Sequence, residues 1–161
     1  MYIFRKAKTE DAQAVLSLYR SLLGLPGVTW DEEYPSMEFI QEDIQKDGLY
    51  LLTLPDGKIL SAVSLLPDEE LNDLPFWGAE IQKPCELSRF GACSTEKHPR
   101  IGSQMLQRIL QTASEMGFDG MRLLAAPENE RAIALYRKMG FKTMGQAHLY
   151  DSQWLCMEKP L

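Results

Sequence analysis

Three groups of residues in this 161-residue chain have types and spacing suited to chemistry. Glu86 lies in the mixed apolar and polar run Cys85-Glu86-Leu87-Ser88-Arg89-Phe90-Gly91-Ala92-Cys93-Ser94, which reads as a strand. A partly buried carboxylate there can have a raised pKa and accept a proton, although a glutamate paired with Arg89 or facing solvent fits the same pattern. The polar turn Thr95-Glu96-Lys97-His98-Pro99-Arg100 follows, and a helical stripe begins at Ile101. A helix leaving a strand through a tight turn presents unpaired N–H groups and the positive end of its dipole, an arrangement that suits a phosphate. Gly102 and Ser103 allow close approach to the backbone, while Lys97 and Arg100 add positive charge; an ordinary basic surface turn has the same composition. Asn129 and Tyr136, seven residues apart, return to nearly one face of a second helix, which therefore carries an amide and a phenol.

The surrounding pattern predicts the elements that position these groups. Ile101, Met105, Leu106, Ile109, Leu110, Ala113 and Met116 recur at steps of three and four and mark the buried face of a helix about fifteen residues long. A short strand, Met121 to Ala126, leads through Pro127-Glu128-Asn129 to a helix from Glu130 to Met139, closed by Gly140-Phe141. Upstream, a strand from Tyr2 to Ala7 precedes a helix capped by Thr9, with Val15, Leu16, Leu18, Tyr19 and Leu22 inward and Gly24-Leu25-Pro26-Gly27 at its end. A second helix begins near Ser36, with Phe39, Ile40 and Ile44 inward. Asp31, Glu32, Glu33, Glu38, Glu42, Asp43 and Asp47 make the loop and helix acidic, either as a solvated face or as a rim that attracts a cationic amine. Leu49 to Leu54 and Ile59 to Leu66, joined by Pro55-Asp56-Gly57-Lys58, predict an antiparallel hairpin. Residues 67 to 84 read as an extended hairpin, an extra strand or a mobile flap, and a loop of that length is a candidate for acceptor binding. Two strands, Phe141 to Ala147 and Trp154 to Lys159, close the chain, and nothing resembling a linker divides residues 1–161 into separate domains.

Composition narrows the function classes. A chain that is 45% apolar and 25% charged is ordinary for a globular protein. A net charge of −6 argues against a nucleic-acid partner. No apolar run is long enough to span a bilayer, and Arg5-Lys6 interrupts any signal-peptide core, so a cytoplasmic protein without a membrane partner is expected. Cys85, Cys93 and Cys156 lack metal-type spacing, so no metal site is expected. Cys93 has no histidine close in sequence to activate it and reads as a small buried thiol rather than a nucleophile.

The turn and the two downstream helices resemble the GCN5-related N-acetyltransferase family. Asn129-Glu130-Arg131-Ala132-Ile133-Ala134-Leu135-Tyr136-Arg137-Lys138-Met139-Gly140-Phe141 is similar to that family's segment of Asn, Ala, Leu-Tyr and Gly-Phe. The turn matches its acyl-CoA motif less closely: Lys97 stands where Gln or Arg is usual, Arg100 where the first glycine is usual, and Gly102 keeps the second. The resemblance covers most of the chain, with its specific motifs between residues 86 and 141.

The resemblance implies an α/β fold with a mixed, mostly antiparallel sheet, splayed at its centre and flanked by about four helices. It further implies transfer of an acetyl group from acetyl-CoA, as donor substrate, to a primary amine by direct attack. Tyr136 matches the general acid to the CoA sulfur, and Glu86 matches the general base of the histone-acetyltransferase branch. Lys97, His98, Arg100, Ile101, Gly102 and Ser103 would hold the pyrophosphate, with Ala92, Cys93 and Ser94 along the pantetheine arm and Asn129 and Ala132 beside it. The amine is unspecified, and a homodimer is compatible with the sequence. A non-catalytic acyl-CoA sensor is the alternative from another class, and Glu86-Leu87-Ser88-Arg89-Phe90 also resembles the strand of acyl-homoserine-lactone synthases.

Overall fold

The computed structural model describes residues 1–161. Its elements run β1 (Ile3–Lys6), α1 (Ala12–Ser21), α2 (Met37–Gln45), β2 (Leu49–Thr53), β3 (Ile59–Pro67), β4 (Pro84–Ala92), α3 (Ile101–Glu115), β5 (Gly120–Ala125), α4 (Glu130–Lys138), β6 (Lys142–Leu149) and β7 (Ser152–Pro160). The expected order holds throughout. One seven-stranded sheet carries them in the order β1-β2-β3-β4-β5-β7-β6. Every neighbouring pair is antiparallel except β4 and β5.

That exception opens the sheet. β4 and β5 are in register only at Pro84–Gly120, Cys85–Met121 and Glu86–Arg122, after which both strands continue with no partner on their facing edges. Backbone groups on those edges are left for another partner, as on any unpaired strand edge. Glu86 therefore stands at the vertex of the splay. A second irregularity lies just beyond it: Ala62 faces Gly91 and Ser64 faces Ser88, so Arg89 and Phe90 oppose Val63 alone. Arg89 takes φ 48°, and the bulge re-aims β4 as it leaves the vertex.

Two apolar layers sandwich the sheet. α3 places Ile101, Met105, Leu106, Ile109 and Ala113 against Val63, Leu65, Leu87, Met121 and Leu123 on one face. Val15, Leu18 and Tyr19 of α1 and Ile40 of α2 pack on Leu49, Leu51 and Ala62 on the other. Some expected inward residues lie elsewhere. Met116 is 47% exposed beyond the last turn of α3, and Phe39 is 40% exposed, lying under the Arg89 guanidinium. Asp43 faces inward instead, so the acidic face of α2 loses its central carboxylate to the interior. Thr9 does not cap a helix: it begins a single 3-10 turn whose entry is fixed by the Asp11 carboxylate, which accepts the Lys8 N–H and binds Arg5.

Residues 68–83 contain no strand, contrary to two of the three readings of this segment. They form an irregular loop anchored to the sheet. Leu71 is buried, the Trp77 indole donates to Leu71 O, and the Gly78 N–H donates to Glu158 Oε1. Phe76 packs so closely on β6 that a side chain at Gly145 would collide with it.

Candidate active site

The groups that the sequence singled out lie on the elements that border the splay. β4 supplies Glu86 at the vertex and its free edge beyond it, α4 supplies Tyr136, and the N-terminus of α3 faces the mouth. The Phe90 ring on β4 and the Tyr136 ring on α4 lie 6.4 Å apart across the opening. Phe141 holds the far side of the Tyr136 ring at 5.7 Å.

Tyr136 is 8% exposed, and burial raises its pKa above the ordinary phenol value. No hydrogen bond or neighbouring charge acts on its hydroxyl. The phenol therefore stays protonated at neutral and mildly alkaline pH and is positioned by packing alone.

Glu86 is mostly buried, and this desolvation, reinforced by Asp68, Glu70 and Asp43 and opposed by Arg89, pushes its carboxyl up to about 7. The alternative in which Glu86 pairs with Arg89 fails, because Arg89 turns to α2. Its Nε and Nη2 donate to Asp43 Oδ2 and Oδ1 at 2.6 and 2.8 Å, and its Nη1 donates to Tyr34 Oη at 3.3 Å. The bidentate pair consumes the cation that would have held Glu86 ionised. A carboxyl that titrates near 7 in a cleft is poised for proton transfer.

At the mouth, Arg100 precedes α3 with φ 55° and ψ 37°, a left-handed conformation that glycine adopts without strain. The glycine usual at this position in the resembled motif thus has a backbone reason. Arg100 bears a conformational cost of about 1–2 kcal/mol in return for its charge. Ser94 Oγ accepts the Ile101 N–H at 3.1 Å and so caps α3 from the end of β4. The N–H groups of Gly102 and Ser103 have no partner within the protein, since the first backbone bond of the helix runs from Gln104 N to Arg100 O. Two free amides at a helix N-terminus, with exposed Lys97 and Arg100 nearby, fit a pyrophosphate. His98 is held aside, its Nδ1 3.2 Å from Tyr2 Oη and its N–H donating to Thr95 Oγ1.

The amides along β4 are not equivalent. Cys93 N donates to Leu60 O at 2.8 Å, so this N–H is occupied by β3. Alternation along the strand turns the Ala92 amide to the unpaired edge. Asn129 caps α4, its Oδ1 accepting the Ala132 N–H at 3.2 Å, so neither that oxygen nor that amide is free. Gly27, with φ 81°, packs so tightly on Asn129 that any side chain there would meet Asn129 Oδ1, which brings the loop after α1 across to α4. Burial pushes the Cys85 and Cys156 thiols up to about 12 and 11, whereas Cys93, expected to be a small buried thiol, is only partly buried. Asp68, Glu70, Asp43 and Tyr150 went unnoticed in the sequence as neighbours of Glu86, because they come from the loop after β3, α2 and the β6–β7 turn. No local pattern links them.

This geometry can be set beside known proteins. The model of the Acetyltransferase (GNAT) family matches residues 14–141. The chain belongs to that family. An IAA acetyltransferase of Azospirillum brasilense is 36% identical over 78 residues, 47% of this chain and 51% of that protein. N-acetyltransferase 8 of Rattus norvegicus is 26% identical over 99 residues, 62% of this chain and 41% of that protein. The matches thus extend over about half or less of the length of these relatives. A GNAT-family acetyltransferase structure from Streptococcus agalactiae superposes with a TM-score of 0.78 over 99% of this chain and 95% of that one, at 17% identity, a likeness of fold. The expected GNAT fold, with its open seven-stranded sheet and four helices, is the observed one. No helix is long and apolar enough to cross a membrane.

Proposed function

We propose that the protein transfers the acetyl group of acetyl-CoA to a primary amine, with Glu86 as general base and Tyr136 as general acid. The observation that carries this reading is the position of Glu86: an unpaired carboxyl, titrating near 7, at the vertex where β4 and β5 part. The donor would enter from the α3 side, its pyrophosphate on the Gly102 and Ser103 amides beside Lys97 and Arg100, its pantetheine arm passing the nearby Ala92 amide, and its thioester farther along the free edge of β4 towards Glu86. A thioester so placed lies between α4, which carries Tyr136, and the stretch of β4 that leads back to Glu86.

An alkylammonium has a pKa near 10.4, so at neutral pH it must first lose a proton, which Glu86 accepts. The free amine attacks the thioester carbonyl carbon, a C–N bond forms, and the carbonyl oxygen takes the negative charge beside the free backbone edge of β4. Collapse breaks the C–S bond. The departing thiolate takes the Tyr136 proton, and the phenolate recovers one from the nitrogen, whose second proton this is. The products are the amide, CoA thiol and the single proton left on Glu86.

Calorimetric titration with acetyl-CoA and with CoA, followed by an amine panel, tests the reading. Micromolar donor binding with acetylation of a primary amine is expected. Donor binding without turnover on any amine would favour an acyl-CoA sensor, and absence of binding at millimolar donor would overturn both readings.

A further inference from the structure

Arg122 lies in register with two glutamates, Glu86 across the parallel β4 edge and Glu158 across the antiparallel β7 edge. Side chains in register on adjacent strands share a face at about 4.8 Å spacing, so the guanidinium can reach either carboxylate. It takes Glu158, its Nε donating to Oε2 at 2.8 Å. Its Nη1 donates to Asp68 Oδ2 at 3.1 Å and to Asn72 Oδ1 at 3.0 Å, and Trp77 covers its face at 4.8 Å. Both carboxylates are themselves fixed: Asp68 Oδ1 accepts the Leu71 N–H, Asp68 N donates to Pro84 O, and Glu158 Oε1 accepts the Gly78 N–H. Asp68, Arg122 and Glu158 are all nearly inaccessible to solvent. Such a buried network, with two carboxylates to one guanidinium, is a costly way to hold a loop, since apolar residues of like volume do so as well or better.

We propose that Asp68 and Glu158 are positioning residues that hold Arg122 away from Glu86 and so leave the Glu86 carboxylate free to take the proton of the incoming amine. The inference rests on the reading of Glu86 as base. The charged and titratable groups around Glu86 are Asp68 and Glu70 from the loop after β3, Arg89 from β4, Asp43 from α2, Arg122 from β5 and Tyr150 from the β6–β7 turn. Of the two cations, Arg89 is bound by Asp43 and Arg122 by Asp68 and Glu158. Releasing Arg122 places a guanidinium beside Glu86, and an opposite charge at that range lowers a carboxyl by about 1–3 pH units.

The test measures the Glu86 carboxyl midpoint by NMR titration of the labelled protein, alongside the pH profile of kcat/KM. Asp68→Asn and Glu158→Gln each keep an oxygen for the loop N–H they accept but lose the charge that retains Arg122. The Glu86 midpoint should fall from about 7 by one unit or more, with the ascending limb of the profile following it. Adding Arg122→Met to either variant should return both towards the original position, which a merely structural role would not do. Loss of the Asp68 charge itself contributes to the first fall, and the Glu158→Gln pair isolates the guanidinium. A midpoint unmoved in both single variants, or lowered and not restored by Arg122→Met, would overturn the proposal. If Glu86→Gln leaves the limb unchanged, the base assignment fails, while the NMR midpoint still decides where Arg122 goes.

Discussion

Tyr136 and Glu86 carry the same conflict between stability and the chemistry proposed for them. The Tyr136 ring packs between Phe90 and Phe141 and its hydroxyl has no hydrogen-bond partner within the protein, so removing the hydroxyl sacrifices no internal bond. Tyr136→Phe should leave the melting temperature unchanged or raised and acetyl-CoA affinity within a few-fold. Its turnover should fall about 10²-fold, the low end for a general acid, because a phenol raised above its ordinary value is a reluctant donor. Unchanged turnover with improved stability would make Tyr136 a packing residue. Glu86 sits with its carboxyl raised to about 7, so the folded state disfavours its charged form. Its stabilising share is fully present below the unfolded value near 4.5 and is lost as pH rises through 7. Glu86→Gln should accordingly gain about 1–3 kcal/mol of stability at pH 8 and nothing at pH 4, as read by denaturant titration at both pH values. The same variant should lose the limb of kcat/KM near pH 7, with a deficit that shrinks as pH approaches the amine's own pKa. A deficit independent of pH would assign Glu86 a structural role.

At the scale of elements, what was legible followed from what is local. The stripe from Ile101 to Ala113, the stop at Gly140, the hairpin through Asp56-Gly57 and the Asn129 cap depend on neighbours a few residues apart, and all formed. Phe39 and Asp43 exchanged their expected places because Arg89, 46 residues beyond Asp43, draws that carboxylate inward, a pairing invisible to periodicity. Likewise, the loop after β3 could not be read because its order comes from Arg122 and Glu158 on strands far along the chain. The turn before α3 lies between these cases. Its unpaired amides and basic residues were readable, whereas the capture of Cys93 N by Leu60 and of Ile101 N by Ser94 was not. Gly102 offers a way to tell helix stability from the proposed ligand binding. A methyl group added there would meet Leu135 Cδ2 at 3.5 Å and Ala92 Cβ at 3.8 Å, ordinary contacts. Gly102→Ala should therefore hold or raise the melting temperature, since alanine is the better helix residue by about 1 kcal/mol. If the adjacent amides bind the pyrophosphate, it should also weaken acetyl-CoA binding about tenfold or more by crowding it. Undiminished affinity in calorimetry would move the phosphate away from α3.

The whole molecule is two half-sheets joined at a short seam. β1 to β4 with α1 and α2 form one side, β5 to β7 the other, and the strands between them share only the three registered pairs from Pro84–Gly120 to Glu86–Arg122. Beyond the seam the halves are bridged by side chains and loops: α3 packs on both, Phe90 approaches Tyr136, and Gly27 touches Asn129. A donor lying in the splay would supply backbone partners on both open edges, and its affinity would appear as stability of the whole fold. At a hundredfold excess over Kd, such a ligand adds about 2.7 kcal/mol. For a chain of this size each kcal/mol raises Tm by about 2–4 °C, so acetyl-CoA should raise it by roughly 5–11 °C. Hydrogen exchange should slow at Ala92, Gly102 and Ser103, whose amides are unpaired, and change little at Cys93 and Ile101, which are already bonded to Leu60 and Ser94. That contrast between neighbouring amides tests the placement more sharply than the shift in Tm, because ligand binding anywhere on the native state raises Tm. Equal protection of Ala92 and Cys93 would mean that the donor does not lie along the free edge of β4.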